Sequence, residues 1–282
     1  MKTKKNIMKT FVSSVLAVGL ALSVNAASAG TGSSLTSVDN AIRSGGADAI
    51  ISELERAERL VCPGCVDRVM TLLDHDDYRV REVAAWWFSK RPAQKAELTE
   101  RSIAYLQVGT AIEARNSADI LGTFRDPVAI PTLAVALSRS ELNADARLAI
   151  TRALGTIGHI SADPAIAQAM QDSDPKVRFQ ALTAWQLIRH QKDAGLAATL
   201  LSDNDVQVRR KASALLGVYK ASDARQALEA QLSDSDPGVR RNAAWSLGRI
   251  GDAASRQALI QATQDESGLV RRVATVSLGM LR

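Results

Sequence analysis

The residues best suited to chemistry are Cys62 and Cys65, which lie in the segment VCPGCVDRVM and are the two cysteines of the chain. A helix predicted to begin at Pro63 would place Cys62 at the helix N-terminus, where the helix field lowers a thiol pKa. Thioredoxin-like chemistry needs a βαβ context that the pattern does not show, and Val66 replaces the histidine of a haem-attachment motif. Three roles stay open: a structural disulfide, a redox-active pair, and an unpaired or metal-assisted pair of thiols.

Other residue types give no catalytic pattern. The three histidines, His75, His159 and His190, lie in or near predicted turns without a serine or cysteine nucleophile beside them. Two thiolates with His75 still lack a fourth zinc ligand. The GTGSS segment near Gly30 follows no strand and precedes no helix-opening lysine, so it does not predict a phosphate loop. We therefore predict no catalytic residue, metal or cofactor, although a site assembled across a surface would leave no local motif.

Residues 1–29 have the pattern of a bacterial secretory signal. A short basic region contains Lys2, Lys4, Lys5 and Lys9. The apolar run FVSSVLAVGLALSV follows, and then ASA, which fits a small-x-small cleavage site. The run is too short to span a bilayer comfortably. Four of the five net positive charges lie in this segment, which leaves +1 for residues 30–282. We predict cleavage, a periplasmic or secreted protein without a membrane span, and no nucleic-acid partner.

The rest of the chain repeats one motif at a nearly fixed spacing. An arginine, usually after valine, recurs with steps of 34, 32 and then four times 31 residues, at Arg81, Arg115, Arg147, Arg178, Arg209, Arg240 and Arg271. The copy at Arg115 is degenerate. A period of this length is typical of a stacked array in which no unit buries its own apolar face.

Each repeat is predicted to form two helices. In the sixth, Asp236 is suited to cap the second helix, Pro237 fits its first position, and Gly251 suits a left-handed end. Convincing strand alternation is absent. We predict an all-α fold, an α-solenoid of about seven helix pairs over residues 63–282. An N-terminal segment with a helical cap, residues 30–62, precedes it.

These motifs resemble a known family. The pattern D-S-D-P-x-V-R-x-x-A, followed by A-L-G-x-I-G, is similar to HEAT-like repeats, especially the short variety of phycobilin lyases. The best copies span Asp172–Ala181, Asp203–Ala212 and Asp234–Ala243, with ALGTIG at Ala153–Gly158. The resemblance covers roughly residues 63–282 and implies that the turn acids and arginines bond within and between repeats as structural pairs: Asp174 with Arg178, Asp205 with Arg209, and Asp236 with Arg240. It implies little about activity, because such arrays mostly serve as binding surfaces.

Some second-helix residues are predicted to point away from the core. Helical periodicity places Trp86 and Trp245 off the apolar stripe, whereas Trp87, Phe88 and Trp185 fall on it. The second residue of several second helices also points outward, at Phe179, Arg210, Arg241 and Arg272. We predict that these six outward residues bind an acidic partner on the concave face. Packing against neighbouring helices, or a solvated face, are the alternatives.

Three functions are compatible with this sequence. The favoured one is an exported, non-enzymatic scaffold that binds another protein. The second is a redox accessory protein that uses Cys62 and Cys65. The third is a tetrapyrrole-handling, lyase-like protein, which export disfavours because bilin attachment is expected in the cytosol. We expect a monomer, because the polar final first helix, RQALIQATQ, can serve as its own cap.

Overall fold

The computed structural model describes residues 33–60, 63–188 and 194–282. The predicted signal segment, residues 1–29, lies outside the described residues. Within the described ranges the chain forms helices and no strand. Two short helices come first, α1 at Leu35–Ser44 and α2 at Ala47–Arg56.

Seven helix pairs follow, which confirms the predicted all-α solenoid. Their helices, in chain order, are α3 (Pro63–Thr71) with α4 (Tyr78–Ser89), α5 (Pro92–Val108) with α6 (Ala111–Phe124), α7 (Ile130–Leu137) with α8 (Ala144–Ile157), α9 (Asp163–Ala169) with α10 (Pro175–Leu187), α11 (Gly195–Thr199) with α12 (Val206–Val218), α13 (Arg225–Ala230) with α14 (Pro237–Ile250), and α15 (Arg256–Ala262) with α16 (Gly268–Leu278). Most of the first helices are shorter than the second helix of the same pair.

The aspartate-rich turns begin the second helices by side-chain capping. The side chain of Asp174 accepts a hydrogen bond from the backbone N–H of Lys176, and Asp236 accepts one from Val239. Such caps satisfy backbone donors that lack a partner within the helix. Helix α14 ends at Gly251, whose φ of 78° is left-handed, as predicted.

Successive second helices contact each other closely along the array. A Cβ atom at Gly155 would lie 2.6 Å from the Cα atom of Ala184, and one at Gly248 would lie 2.6 Å from the Cβ atom of Ser277. Glycine therefore allows one second helix to approach the next at these points. The first helices pack less extensively against each other. The second helices therefore form the most closely packed layer of the array.

The N-terminal helices cover the first pair through a core of their own. Val38, Ile50 and Leu54 join the buried residues of α3 and α4. The indole N–H of Trp87 donates to the carbonyl of Ala57 at 2.9 Å. The prediction that Trp87, Phe88 and Trp185 are buried is confirmed, since none is more than 2% exposed.

Candidate interaction surface

The repeated arginines form a ladder that joins each turn to the next one. The Nη1 atom of Arg209 donates to the carbonyls of Asp203 and Asn204 in its own turn. The Nε and Nη2 atoms donate to both carboxylate oxygens of Asp234, at 2.8 and 3.1 Å. The same bidentate contact recurs 25 residues apart in the pairs Arg147–Asp172, Arg178–Asp203 and Arg240–Asp265. The ladder therefore fixes the stacking of adjacent repeats.

The acids in this ladder differ from those that the sequence predicted. Asp174, Asp205 and Asp236 do not contact Arg178, Arg209 and Arg240, respectively, through their carboxylates; each caps the helix that follows it. The arginine is one turn inside that helix, so its guanidinium extends past the cap and reaches the first aspartate of the next turn. Arg115, predicted as a degenerate copy, donates to Asn116 instead.

The aspartates that pair with an arginine of the preceding repeat have low pKa values. Burial alone would raise the pKa of Asp203 and Asp234, but hydrogen bonds from Arg178 and Arg209 and from the backbone outweigh it, so both values lie below the usual range. Hydrogen bonds from Arg210 lower the pKa of Asp236 to about 2. These carboxylates stay ionised in the folded protein at a pH where unfolded aspartates already bind protons.

We therefore expect the array to lose stability in acid. A carboxyl whose folded pKa is depressed contributes its full stability above the unfolded value, about 3.9, and loses it as pH falls through the folded value. The melting temperature should stay nearly level from pH 7 to 5 and fall between pH 4 and 2. Circular dichroism melts at each pH measure this. The melting temperature of Asp236→Asn should fall less over this pH range than that of the parent protein. An equal or larger fall would contradict a stabilising role for the ionised Asp236 carboxylate.

The outward positions of the second helices form a continuous row of side chains. On α14 they are Arg241, Trp245 and Arg249, spaced one turn apart. Arg241 and Arg249 are exposed, and Trp245 is half-buried with the Arg249 guanidinium 5.8 Å from its ring centroid. We call the outward row on all second helices the second-helix face.

Five of the six residues predicted to bind a partner lie on this face without an acidic partner of their own among the described residues. Phe179, Arg241 and Arg272 are exposed, and Trp86 is half-buried with Lys90 over its ring. Trp245 is the fifth, as described above. Arg210 differs, because its Nε and Nη2 atoms donate to the carboxylate of Asp236 at 2.6 and 2.5 Å. The Arg210 side chain is 38% exposed, but its charge is already paired with an acid of the next turn.

The C-terminal part of the second-helix face combines arginines with apolar side chains. Its accessible members, which we call the basic–apolar surface, are Phe179, Leu187, Val218, Arg241, Trp245, Arg249, Arg272, Val276 and Met280. Leu187, Val218, Arg249 and Met280 were missed by sequence reasoning, although each lies eight residues after an outward position that the sequence did indicate. The outward row of these four helices contains no acid.

In the N-terminal part of the array, charged side chains of successive second helices form ion pairs with each other. Asp119 on α6 is buried and accepts hydrogen bonds from Arg81 on α4 and Arg152 on α8. The Arg152 guanidinium also lies 3.7 Å from the ring centroid of Tyr78. Desolvation by the surrounding groups raises the pKa of the Tyr78 hydroxyl and the pKa of the Glu82 carboxyl. This part of the face is a cross-repeat clamp, and we call it the Asp119 cluster.

The described cysteine and histidines have local, structural surroundings. Cys65 is fully buried in the N-terminal core, and the described chain has no free cysteine. His75 and His159 accept hydrogen bonds from backbone N–H groups within their own turns. Cys62 and His190 lie outside the described residues. Across the described ranges no three His, Cys, Asp or Glu side chains are placed to hold a metal ion.

The architecture defines an α-solenoid with one accessible basic–apolar surface. The sequence profile of HEAT repeats matches residues 110–184 and 194–279, more than half of the chain. The protein therefore belongs to the HEAT-repeat family. No curated protein matches the sequence. None of the helices in the described part of the chain combines the length and apolar character that a bilayer crossing requires.

Solved structures with the same fold include YibA of Escherichia coli. It is 15% identical, with a TM-score of 0.55, over 86% of this chain and 92% of YibA. Importin beta is 14% identical, with a TM-score of 0.55, over 87% of this chain and 46% of importin beta. The complex of CpcE and CpcF of phycocyanin lyase from Nostoc is 20% identical, with a TM-score of 0.40, over 77% of this chain and 94% of that one. The first two similarities show the fold alone, and the third is too weak to bear on activity.

Proposed function

We propose that the protein is an exported, non-enzymatic scaffold whose basic–apolar surface binds an acidic, partly apolar segment of another protein. The observation that carries this proposal is the set of arginines without acidic partners. Within the described residues no ion pair involves Arg241, Arg249 or Arg272, and exposed apolar side chains lie between them.

The Arg210–Asp236 pair indicates which ligand these arginines fit. Arg210 holds the carboxylate of Asp236 through two N–H groups, Nε and Nη2, on one edge of its guanidinium. Arg241 occupies the same position one repeat later, but the residue that corresponds to Asp236 is Ser267. Because a guanidinium binds a carboxylate through two parallel hydrogen bonds, a glutamate or aspartate of the partner can take the place that Asp236 has in the sixth repeat.

The apolar members favour a protein segment over a small anion. Trp245 offers a large rigid surface of the kind that dominates binding energies at protein interfaces. Leu187, Val218, Val276 and Met280 extend the apolar area over four successive second helices. Stacked helical repeats characteristically present such extended concave surfaces to their partners.

The export component rests on the pattern in residues 1–29. A positive start, a short apolar run and ASA before Gly30 support cleavage and release into the periplasm or beyond. Burial of Cys65 within the N-terminal core favours a structural role for the cysteines over a catalytic one. A disulfide between Cys62 and Cys65 suits an oxidising compartment.

The proposal is tested by capturing partners from the periplasmic fraction with the mature protein, whose mass should correspond to a chain that begins at Gly30. Arg241→Glu should weaken retention of the captured partner at least tenfold, since like charges in an interface repel. Ser267→Asp should weaken it as well, by supplying an internal acid for Arg241. Arg256→Glu makes the same charge change on an exposed position of first helix α15 and is the matched control.

Two outcomes would contradict this function. If the parent protein, Arg241→Glu and Arg256→Glu retain the captured partner equally well, the basic–apolar surface is not the binding site. A mature protein that keeps residues 1–29 and stays in the cytoplasm would contradict export but leave the surface assignment intact.

A further inference from the structure

The contact between the fourth and fifth repeats departs from the regular pattern. Elsewhere a glycine of one second helix packs against a small residue of the next second helix, as Gly217 packs against Ser246. At the equivalent positions, 31 residues earlier, α10 has Gln186 and α12 has Leu215. Both side chains are larger, so α10 and α12 cannot approach each other as closely, and they pack less extensively than the neighbouring second helices do.

The first helix of the fifth repeat also lacks a core side chain. The position is Ile166, Leu228 and Leu259 in the fourth, sixth and seventh repeats, and all three are fully buried. In α11 the same position is Ala197, which is also fully buried. Truncation of a buried branched side chain to alanine removes volume that the surroundings refill only in part.

A cavity of about 290 Å³ lies at this junction. Trp185 at the end of α10 and Tyr219 after α12 form one wall, with ring centroids 4.7 Å apart in an edge-to-face arrangement. The Tyr219 hydroxyl donates to the carbonyl of Gln186 at 3.1 Å, which fixes the ring. Ala194 and Ala198 line the side that α11 contributes.

The cavity also has a polar rim. Lys220, Ser222 and Asp223 belong to its lining. Lys220 has a φ of 51°, in the left-handed region, where the equivalent positions of other repeats have Gly158 and Gly251. Lysine adopts this conformation less readily than glycine does, and Arg125 adopts it at the end of α6. The rim therefore presents an ammonium group, a hydroxyl and a carboxylate beside an aromatic wall.

We infer that this cavity binds an aromatic ring that carries a hydrogen-bonding group, such as a phenol or an indole. An apolar cavity of about 150 Å³ accepts benzene, so this volume has room for a substituted or fused ring. The exposed Tyr219 ring, which the buried Trp185 ring supports from behind, can pack against a ligand ring by stacking or edge-to-face contact. The rim supplies acceptors for a hydroxyl or N–H group. The inference is independent of the basic–apolar surface and of its partner.

Calorimetric titration with indole, p-cresol and toluene tests the chemistry of the cavity. Indole and p-cresol should bind, and toluene, which lacks a donor, should bind several-fold more weakly. N-acetyl-tryptophanamide distinguishes the source of the ring, because a site for a peptide side chain accepts it and a site for a free metabolite does not. Absence of binding by indole and p-cresol at millimolar concentration would overturn the inference.

Variants locate the binding site. Ala198→Leu fills the cavity from α11 and should reduce indole affinity at least tenfold. Ala227→Leu adds the same atoms at an exposed position of α13 and should leave the affinity unchanged. Ser222→Leu obstructs the rim of the cavity at an exposed residue and should also reduce indole affinity. It replaces Ala198→Leu as the test if that substitution impairs folding. Unchanged affinity in the folded Ala198→Leu and Ser222→Leu proteins would place the ligand elsewhere and contradict the inference.

Discussion

Asp119→Ala should destabilise the protein by about 3–5 kcal/mol, the cost of removing one partner from a buried ion pair. The Arg81 and Asp119 side chains are only 3% and 1% exposed. Asp119 accepts from Arg81 at 2.9 and 2.7 Å and from Arg152 at 2.6 Å. Without the carboxylate, Arg81 would remain buried with only backbone carbonyls as partners, and Arg152 would lose its ion pair.

Urea unfolding followed by circular dichroism measures this effect. Asp119→Asn keeps the shape and one acceptor oxygen, so its loss should be smaller than that of Asp119→Ala. Glu97→Ala, at an exposed position of α5, is the control and should change the free energy of unfolding by less than about 0.5 kcal/mol. A loss below about 1 kcal/mol for Asp119→Ala would show that solvent reaches the cluster and that the clamp is not structural.

The Asp119 cluster explains why the second-helix face differs between its two ends. Arg81, Asp119 and Arg152 come from three successive second helices, so their contacts hold α4, α6 and α8 in one arrangement. These three charged side chains form ion pairs with each other and are not available to a partner. On α14 and α16, Arg241 and Arg272 have no acid opposite them, and the face remains open to a partner. The second helices thus carry internal ion pairs at one end of the array and unpaired arginines at the other.

The repeat architecture could be predicted because it depends on local rules. The spacing of the arginines, the capping Asp236 before Pro237 and the left-handed Gly251 are each set by a few neighbouring residues, and all three appear in the structure. The outward direction of Trp86 and Trp245 follows from helical periodicity alone.

The contacts between repeats could not be predicted in the same way. The acid opposite Arg209 is Asp234, 25 residues away, and choosing it over Asp205 depends on how far α12 and the next turn lie apart. The Asp119 cluster was missed because the second repeat lacks the turn motif, and Arg81 instead reaches an acid 38 residues later. The satisfied state of Arg210 was missed for a related reason, since Asp236 was assigned to Arg240.

Arg209→Ala should lower the free energy of unfolding by about 1.5–3 kcal/mol, the range for hydrogen bonds to a charged group. The substitution leaves Asp234, which is 9% exposed, without its bidentate partner, and the carbonyls of Asp203 and Asn204 without a donor. Arg209→Lys should recover only part of the loss, because an ammonium group cannot make the two parallel bonds.

A double-mutant cycle with Asp234→Ala isolates the contact between repeats. If the ladder acts through this pair, the double variant should be less destabilised than the sum of the single variants, with a coupling energy of about 1–3 kcal/mol. The same cycle with Asp205→Ala should show little coupling, because Asp205 caps α12 by accepting from Gln207 and Val208. Coupling of Arg209 to Asp205 rather than to Asp234 would restore the pairing predicted from the sequence, and the 25-residue ladder would then not be what holds successive repeats in register.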